Sequence, residues 1–201
     1  MDFNLVKDNL EKKGYDVSCF STKEEASQYL NTQIDGTTVG RGGSVSLHEL
    51  GIYDELVKHN EIYWHHLTPK GEDTMPIRRQ EHEAKIYICS VNAIAKTGEI
   101  INIDGVGNRL ASMFFGHEKI YFVVGKNKIA EDYESALWRA RNIAAPKNAQ
   151  RLGVKTPCAI KADHCYDCKS PQRICRGLAV LWEKMTAANI EVILIDEELG
   201  Y

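Results

Sequence analysis

Val39-Gly40-Arg41-Gly42-Gly43-Ser44-Val45-Ser46-Leu47 is the stretch on which the fold class turns. A short strand, Thr37–Gly40, runs into it, and a helix carrying Leu47, Leu50 and Leu56 opens from Ser44 or Ser46. Glycines Gly40, Gly42 and Gly43 let the backbone approach a ligand closely. Free N–H groups at a helix start favour an anion, and Arg41 adds a guanidinium suited to bidentate anion contact. Ser44 and Ser46 are candidates to cap the helix or touch the ligand. The plainer reading is a tight turn with an N-cap. The spacing matches neither the phosphate-loop pattern nor G-x-G-x-x-G.

The same alternation extends outward. Upstream, residues 3–13 have helical spacing and end at Gly14, Tyr15–Phe20 reads as a strand, and Ser21 or Thr22 caps a helix to about Leu30. Downstream, Glu61–Trp64 is a further strand candidate. This βαβα order predicts an α/β fold, a parallel sheet between helices. In the middle, Lys85–Val91 and Glu99–Asp104 read as strands, with Ala95–Gly98 turning between them as a hairpin. Asn108–Phe115 reads as a helix and Lys119–Val124 as an apolar strand. Helices are expected at Tyr133–Ala144, from Pro146, and over Gly177–Ala188, with a closing strand at Ile190–Ile195.

The 201 residues suit one domain, residues 1–201, and 43% hydrophobic content supports an ordinary core. A net charge of −3 argues against general nucleic-acid binding and gives no attraction to an anionic membrane. No run approaches the roughly 20 apolar residues of a membrane span. The N-terminus shows no export signal, so a cytoplasmic, reducing location is expected. In such a compartment Cys19 and Cys89, alone in strands, read as small buried hydrophobes.

A second polar, glycine-bearing stretch runs from Asn92 through Thr97-Gly98-Glu99 to Asp104-Gly105-Val106-Gly107-Asn108-Arg109. Ligands of open parallel sheets sit at the carboxyl ends of strands, so this loop and the glycine turn are expected to share one pocket. Glu99 and Asp104 are the carboxylates expected to move protons. The competing readings are an Asx-type turn for Asp104 and a solvated hairpin residue for Glu99.

The motifs Gly42-Gly43-Ser44-Val45-Ser46-Leu47-x-Glu49-x-Gly51, Asn92-Ala93-Ile94, Thr97-Gly98-Glu99 and Asn102-Ile103-Asp104-Gly105-x-Gly107-Asn108-Arg109 together resemble the LUD domain family. The likeness continues through Val123–Lys128, Arg141–Ala149 and the cysteine segment, about residues 10–198. That family contains lactate-utilisation proteins. The resemblance implies the fold shared by sugar-phosphate isomerases and coenzyme-A transferases, and places Glu49 near a ligand. It assigns no catalytic residue and fixes no reaction.

Cys158, Cys165, Cys168 and Cys175 form a C-x6-C-x2-C-x6-C pattern in a loop over about Pro157–Ile174. Four soft thiolates this close can surround a structural zinc ion or a [4Fe–4S] cluster, and Lys161, Lys169, Arg173 and Arg176 would help keep them deprotonated. A redox-sensitive disulfide and plain loop thiols are the alternatives. The resemblance tilts the choice toward iron–sulfur, because lactate-utilisation systems include iron–sulfur proteins.

Of His65 and His66, at most one is expected to face a pocket, because neighbours in an extended chain point to opposite sides. Arg78-Arg79 reads as a solvated helix face. Three functions fit these features. The first is an enzyme of carbon metabolism that binds a small anionic organic ligand, such as a hydroxy or oxo acid, a sugar phosphate or an acyl thioester. The second is a redox or accessory subunit for a partner oxidoreductase, and the third a ligand- or redox-sensing regulator. A homodimer is compatible with each.

Overall fold

A computed structural model describes residues 3–201. In chain order the elements are α1 (Asn4–Lys12), β1 (Asp16–Phe20), α2 (Lys23–Gln33), β2 (Thr38–Arg41), α3 (Val45–Leu50), α4 (Tyr53–Leu56), β3 (Glu61–Tyr63), α5 (Met75–Glu83), β4 (Ile86–Ser90), β5 (Ala93–Ala95), β6 (Ile100–Asp104), α6 (Asn108–Phe114), β7 (Lys119–Gly125), β8 (Ile129–Ala130), α7 (Tyr133–Arg139), α8 (Ala145–Arg151), α9 (Pro157–Lys161), β9 (Gly177–Leu181) and β10 (Ile190–Ile195).

Six strands form a sheet in the order β1-β10-β7-β4-β2-β3, with every pairing parallel. Its central strands are apolar on both faces, as a sheet covered by helices on both sides requires. Along β7, Ile120, Phe122 and Val124 enter one core and Tyr121 and Val123 the other. In β10, Ile190, Val192 and Leu194 oppose Ile193 and Ile195 in the same way. The α/β architecture is therefore as expected. Gly40 is fixed by packing: a Cβ there would stand 2.1 Å from the carbonyl oxygen of Glu81, so β2 and α5 can touch only through a glycine.

A smaller sheet, β8-β5-β6-β9, lies beyond the carboxyl end of β4. Here the structure departs from expectation. The hairpin joins β5 to β6, while Lys85–Val91 supplies β4 of the large sheet. Residues 177–188 do not form a helix. Gly177–Leu181 is strand β9, paired antiparallel along the whole of β6, because that pairing buries Ala179 and Leu181. The two helices expected at Tyr133–Ala144 and from Pro146 are one continuous run with a π-helical turn, Ala140–Ala144, inside it. Pro146 has no N–H to continue an α-helical ladder, and the widened turn absorbs that loss. Cys19 is exposed rather than buried, since β1 is an edge strand, whereas Cys89 is buried in β4.

Candidate functional site

A cavity of about 240 Å³ opens outside the carboxyl ends of β2, β3, β4 and β7, where parallel sheets hold ligands. Both glycine-bearing stretches reach it, through Gly43, Ser44 and Ser46 on one side and Asn92, Asp104, Gly105, Asn108 and Arg109 on the other. The π-helical turn and α8 close it with Ala144, Ala145, Asn148 and Arg151.

The remaining predicted site residues stand elsewhere. Gly40, Arg41 and Gly42 form the layer beneath. The Arg41 guanidinium is buried 3.7 Å over the Trp64 ring, and its Nε and Nη1 lack a hydrogen-bond partner. Glu49 accepts a hydrogen bond from the Gly200 N–H at 2.6 Å. Thr97, Gly98 and Glu99 lie outside the cavity, at the β5–β6 turn against α1. There Gly98 takes a positive φ of 99°, Thr97 donates to Glu99, and Lys13 lies 3.3 Å from the Glu99 carboxylate. The geometric reason is that the turn projects from the far end of the hairpin, away from the strand ends that form the cavity. Gly107, with φ 95°, starts α6 and does not line the cavity. Asp104 does line it, but its carboxylate accepts the backbone N–H groups of Gly105 (2.6 Å), Val106 (3.3 Å) and Arg109 (3.1 Å). That is the Asx-type arrangement weighed against a proton-transfer role.

Several cavity groups had escaped notice in the sequence. Lys128, just past β7, is buried, and its Nζ donates to Ser46 Oγ (2.8 Å), Ser90 Oγ (2.8 Å) and the Val91 carbonyl (3.0 Å). Burial, followed by the nearby Arg139 and Arg109, lowers its pKa to about 7. Its sequence signal was a lysine three residues past the most apolar strand, inside the Val123–Lys128 stretch that carries the family likeness. Arg78 is a cavity residue rather than part of a solvated face. Arg109 is held by Ser90 O (3.2 Å) and Ile103 O (2.6 Å).

Both His65 and His66 line the cavity, contrary to the expectation that only one would. The alternation argument fails because His65–Leu67 is a 3-10 turn, not extended chain. His65 Nδ1 and its backbone N–H both lie 2.6 Å from Glu81 Oε1, with Glu81 itself 1% exposed. Trp64 Nε1 donates to His66 Nδ1 at 3.1 Å.

The four clustered cysteines are free thiols lining a second, smaller cavity, together with Arg141, Arg173 and Ile174. Arg173 Nε donates to Cys175 Sγ (3.2 Å), Arg141 Nη2 to Cys165 Sγ (3.8 Å) and the Asp167 N–H to Cys165 Sγ (3.4 Å). Of the expected basic neighbours, Lys161 instead sits 4.6 Å over the Tyr166 ring, and Arg176 bonds backbone carbonyls. Among the described residues no three His, Cys, Asp or Glu side chains converge to hold a metal ion. The expected metal site is therefore not formed here: the four thiols border one cavity but do not converge on a common point. Ala145 and Ile174 line both cavities, so a single layer of side chains separates them.

No helix among the described residues is long and apolar enough to cross a membrane. No curated protein matches the chain. Among solved structures, a DUF162 family protein from Deinococcus radiodurans is similar in fold, with TM-score 0.55 and 12% identity over 96% of this chain and 94% of that one. The LUD domain family model matches residues 3–195, nearly the whole chain. The chain belongs to the LUD domain family.

Proposed function

We propose that the larger cavity binds a small anionic organic ligand, in keeping with the lactate-utilisation members of the family, and that this is an organic-acid protein of carbon metabolism. One observation carries the reading. Four cations, Arg78, Arg109, Lys128 and Arg151, line the cavity, and none of them is in an ion pair among the described residues. The one acidic side chain there, Asp104, is occupied by backbone N–H groups. A buried ammonium without a carboxylate is costly, which is why burial lowers the Lys128 pKa, and an anionic ligand would restore the charge. Lys128 and Arg109 are the expected anion receptors, with Ser44, Asn92 and Asn108 as neutral partners.

The test is thermal unfolding with lactate, pyruvate, glucose 6-phosphate, acetyl-coenzyme A and chloride. A true ligand at about 100 times its Kd stabilises by about 2.7 kcal/mol, or ~5–10 °C for a domain of this size. Lys128→Met is expected to abolish the shift. If no organic anion exceeds chloride, the reading fails.

A second reading concerns the thiols, because all four face one cavity and two of them, Cys165 and Cys175, accept N–H···S hydrogen bonds of the kind that tune cluster potentials. Cys158, Cys165, Cys168 and Cys175 would hold a [4Fe–4S] cluster, with zinc as the alternative, and would supply a redox centre for a partner oxidoreductase. Donors spread around a cavity suit a polynuclear cluster better than a single zinc ion, whose tetrahedral shell brings sulfurs within about 4 Å of one another. Anaerobic purification followed by iron, sulfide and zinc analysis decides it. About four irons and four sulfides per chain are expected, and metal-free protein would reject both fillings.

A further inference from the structure

We propose that His65 and His66 are a proton-transfer pair, His65 as general base and His66 as neutral hydrogen-bond donor, acting on a small anion whose carbonyl stands next to an acidic C–H. The inference rests on the anion-binding reading for the position of the ligand. It comes from a different observation, the two tautomers that the surroundings impose.

The His65 ring has its Nδ1 against the buried Glu81 carboxylate, which accepts and cannot donate when ionised. The proton of a neutral His65 therefore sits on Nδ1, and Nε2 keeps its lone pair. The His66 ring has its Nδ1 facing the Trp64 N–H, which can only donate. The proton of a neutral His66 therefore sits on Nε2. Burial, then His65 and the charges of Arg151, Arg41 and Arg78, push the His66 pKa down to about 4, so this ring stays uncharged at neutral pH. The two rings lie 4.4 Å apart between centroids. Both Nε2 atoms lie 3.5 Å from the point where a Cβ would stand at Gly43, so the space kept open by that glycine is bordered by one lone pair and one N–H. Glu81 Oε2 is additionally within 3.4 Å of Asn108 Nδ2, which ties the dyad to the other cavity loop.

A buried carboxylate behind an imidazole orients a general base. A neutral imidazole whose N–H meets a carbonyl oxygen is a known electrophile for enolisation. The ligand's anionic end would rest on Lys128 and Arg109. His65 Nε2 takes the proton from the carbon beside the carbonyl: the C–H bond breaks, an N–H bond forms, and the electron pair moves into the carbonyl oxygen. His66 Nε2–H donates a hydrogen bond to that oxygen. Return of the proton to carbon closes the cycle, with no oxidant or reductant consumed. Glu81 and Trp64 are positioning residues, since each acts through a ring.

Two measurements test this on the full chain. Long-range 1H–15N NMR of the histidine rings reads the tautomers with no ligand present. His65 is expected as the Nδ1–H form and His66 as the Nε2–H form. Glu81→Gln is expected to disturb the first, and Trp64→Phe the second while keeping the aromatic ring. Either histidine in the opposite tautomer overturns the pairing. The second measurement follows loss of C–H signal from pyruvate and from dihydroxyacetone phosphate in D2O. Wild type is expected to exchange at least one probe about 100-fold faster than protein-free buffer. His65→Gln should remove that rate, and Glu81→Gln should lower it by about tenfold or more. A probe that raises the melting temperature but exchanges no faster than with His65→Gln overturns the proposal and leaves anion binding standing. If neither probe nor any organic anion binds, the anion reading fails, and the tautomers still judge the pair.

Discussion

The two cavities share Ala145 and Ile174 but are built by different means. The larger rests on the ends of four sheet strands, and two of its charged or titratable groups are fixed by buried hydrogen bonds. Lys128 is held by two serines and a carbonyl, and His65 by Glu81. The smaller is formed by α9 and irregular chain lying against the π-helical turn and α8, and its polar contacts are partly exposed. The first is ordered by the core and its buried hydrogen bonds. The second has only side-chain and backbone hydrogen bonds to order it, so a bound group would supply much of its rigidity.

This contrast can be broken most sharply at Lys128. Its pKa in the folded chain, about 7, lies below that of an unfolded lysine. Between those values the unfolded state binds more protons, so stability rises with pH from about 7 toward about 10. The rise should amount to a few kcal/mol and be absent from the pH–stability curve of Lys128→Met, measured by denaturant unfolding. The lysine must be charged to bind an anion, so ligand affinity should run the other way and fall as pH climbs through 7.

Next in size is Asp104→Asn. Asparagine offers one acceptor oxygen where the carboxylate serves three N–H groups through two, so a loss of ~1–3 kcal/mol is expected. Ligand affinity should weaken only as far as Arg109 shifts. A larger loss of binding without loss of stability would return Asp104 to the chemistry. Cys168→Ser addresses the other cavity. In metal-free protein it should cost under about 1 kcal/mol, while in anaerobically prepared protein it should abolish any iron. A large loss in the metal-free state would show that the thiol cavity is as preorganised as its neighbour. The smallest effect belongs to Glu99→Gln. Its ion pair with Lys13 is partly exposed, so stability should change by less than ~1 kcal/mol, with ligand binding unchanged.

The same division governs what could be read before the structure. The large sheet is written in local patterns: central strands that are mostly apolar on both faces, helix caps such as Thr22 with Glu25, and glycine at the strand ends. Those patterns also placed the pocket at Gly43 and Asp104–Arg109. What escaped depends on contacts distant in the chain. Strand β9 has the composition of a helix and becomes a strand only by pairing with β6. Lys128 and Arg78 reach the cavity through the sheet order, which no local pattern reveals. The histidine pair was misjudged because a three-residue 3-10 turn replaces the extended chain assumed for His65 and His66. Glu99 had a solvated hairpin residue as its competing reading, and the structure places it at the hairpin tip, which is carried away from the strand ends.

The most direct measurement of the central claim is calorimetric titration of pyruvate, lactate and glucose 6-phosphate into wild type and Lys128→Met at pH 6.5 and 8.5. The expected result is saturable one-to-one binding by wild type for at least one of them, weaker at the higher pH, and none by the variant. Equal binding by both proteins, or binding that strengthens with pH, would contradict an anion seated on Lys128.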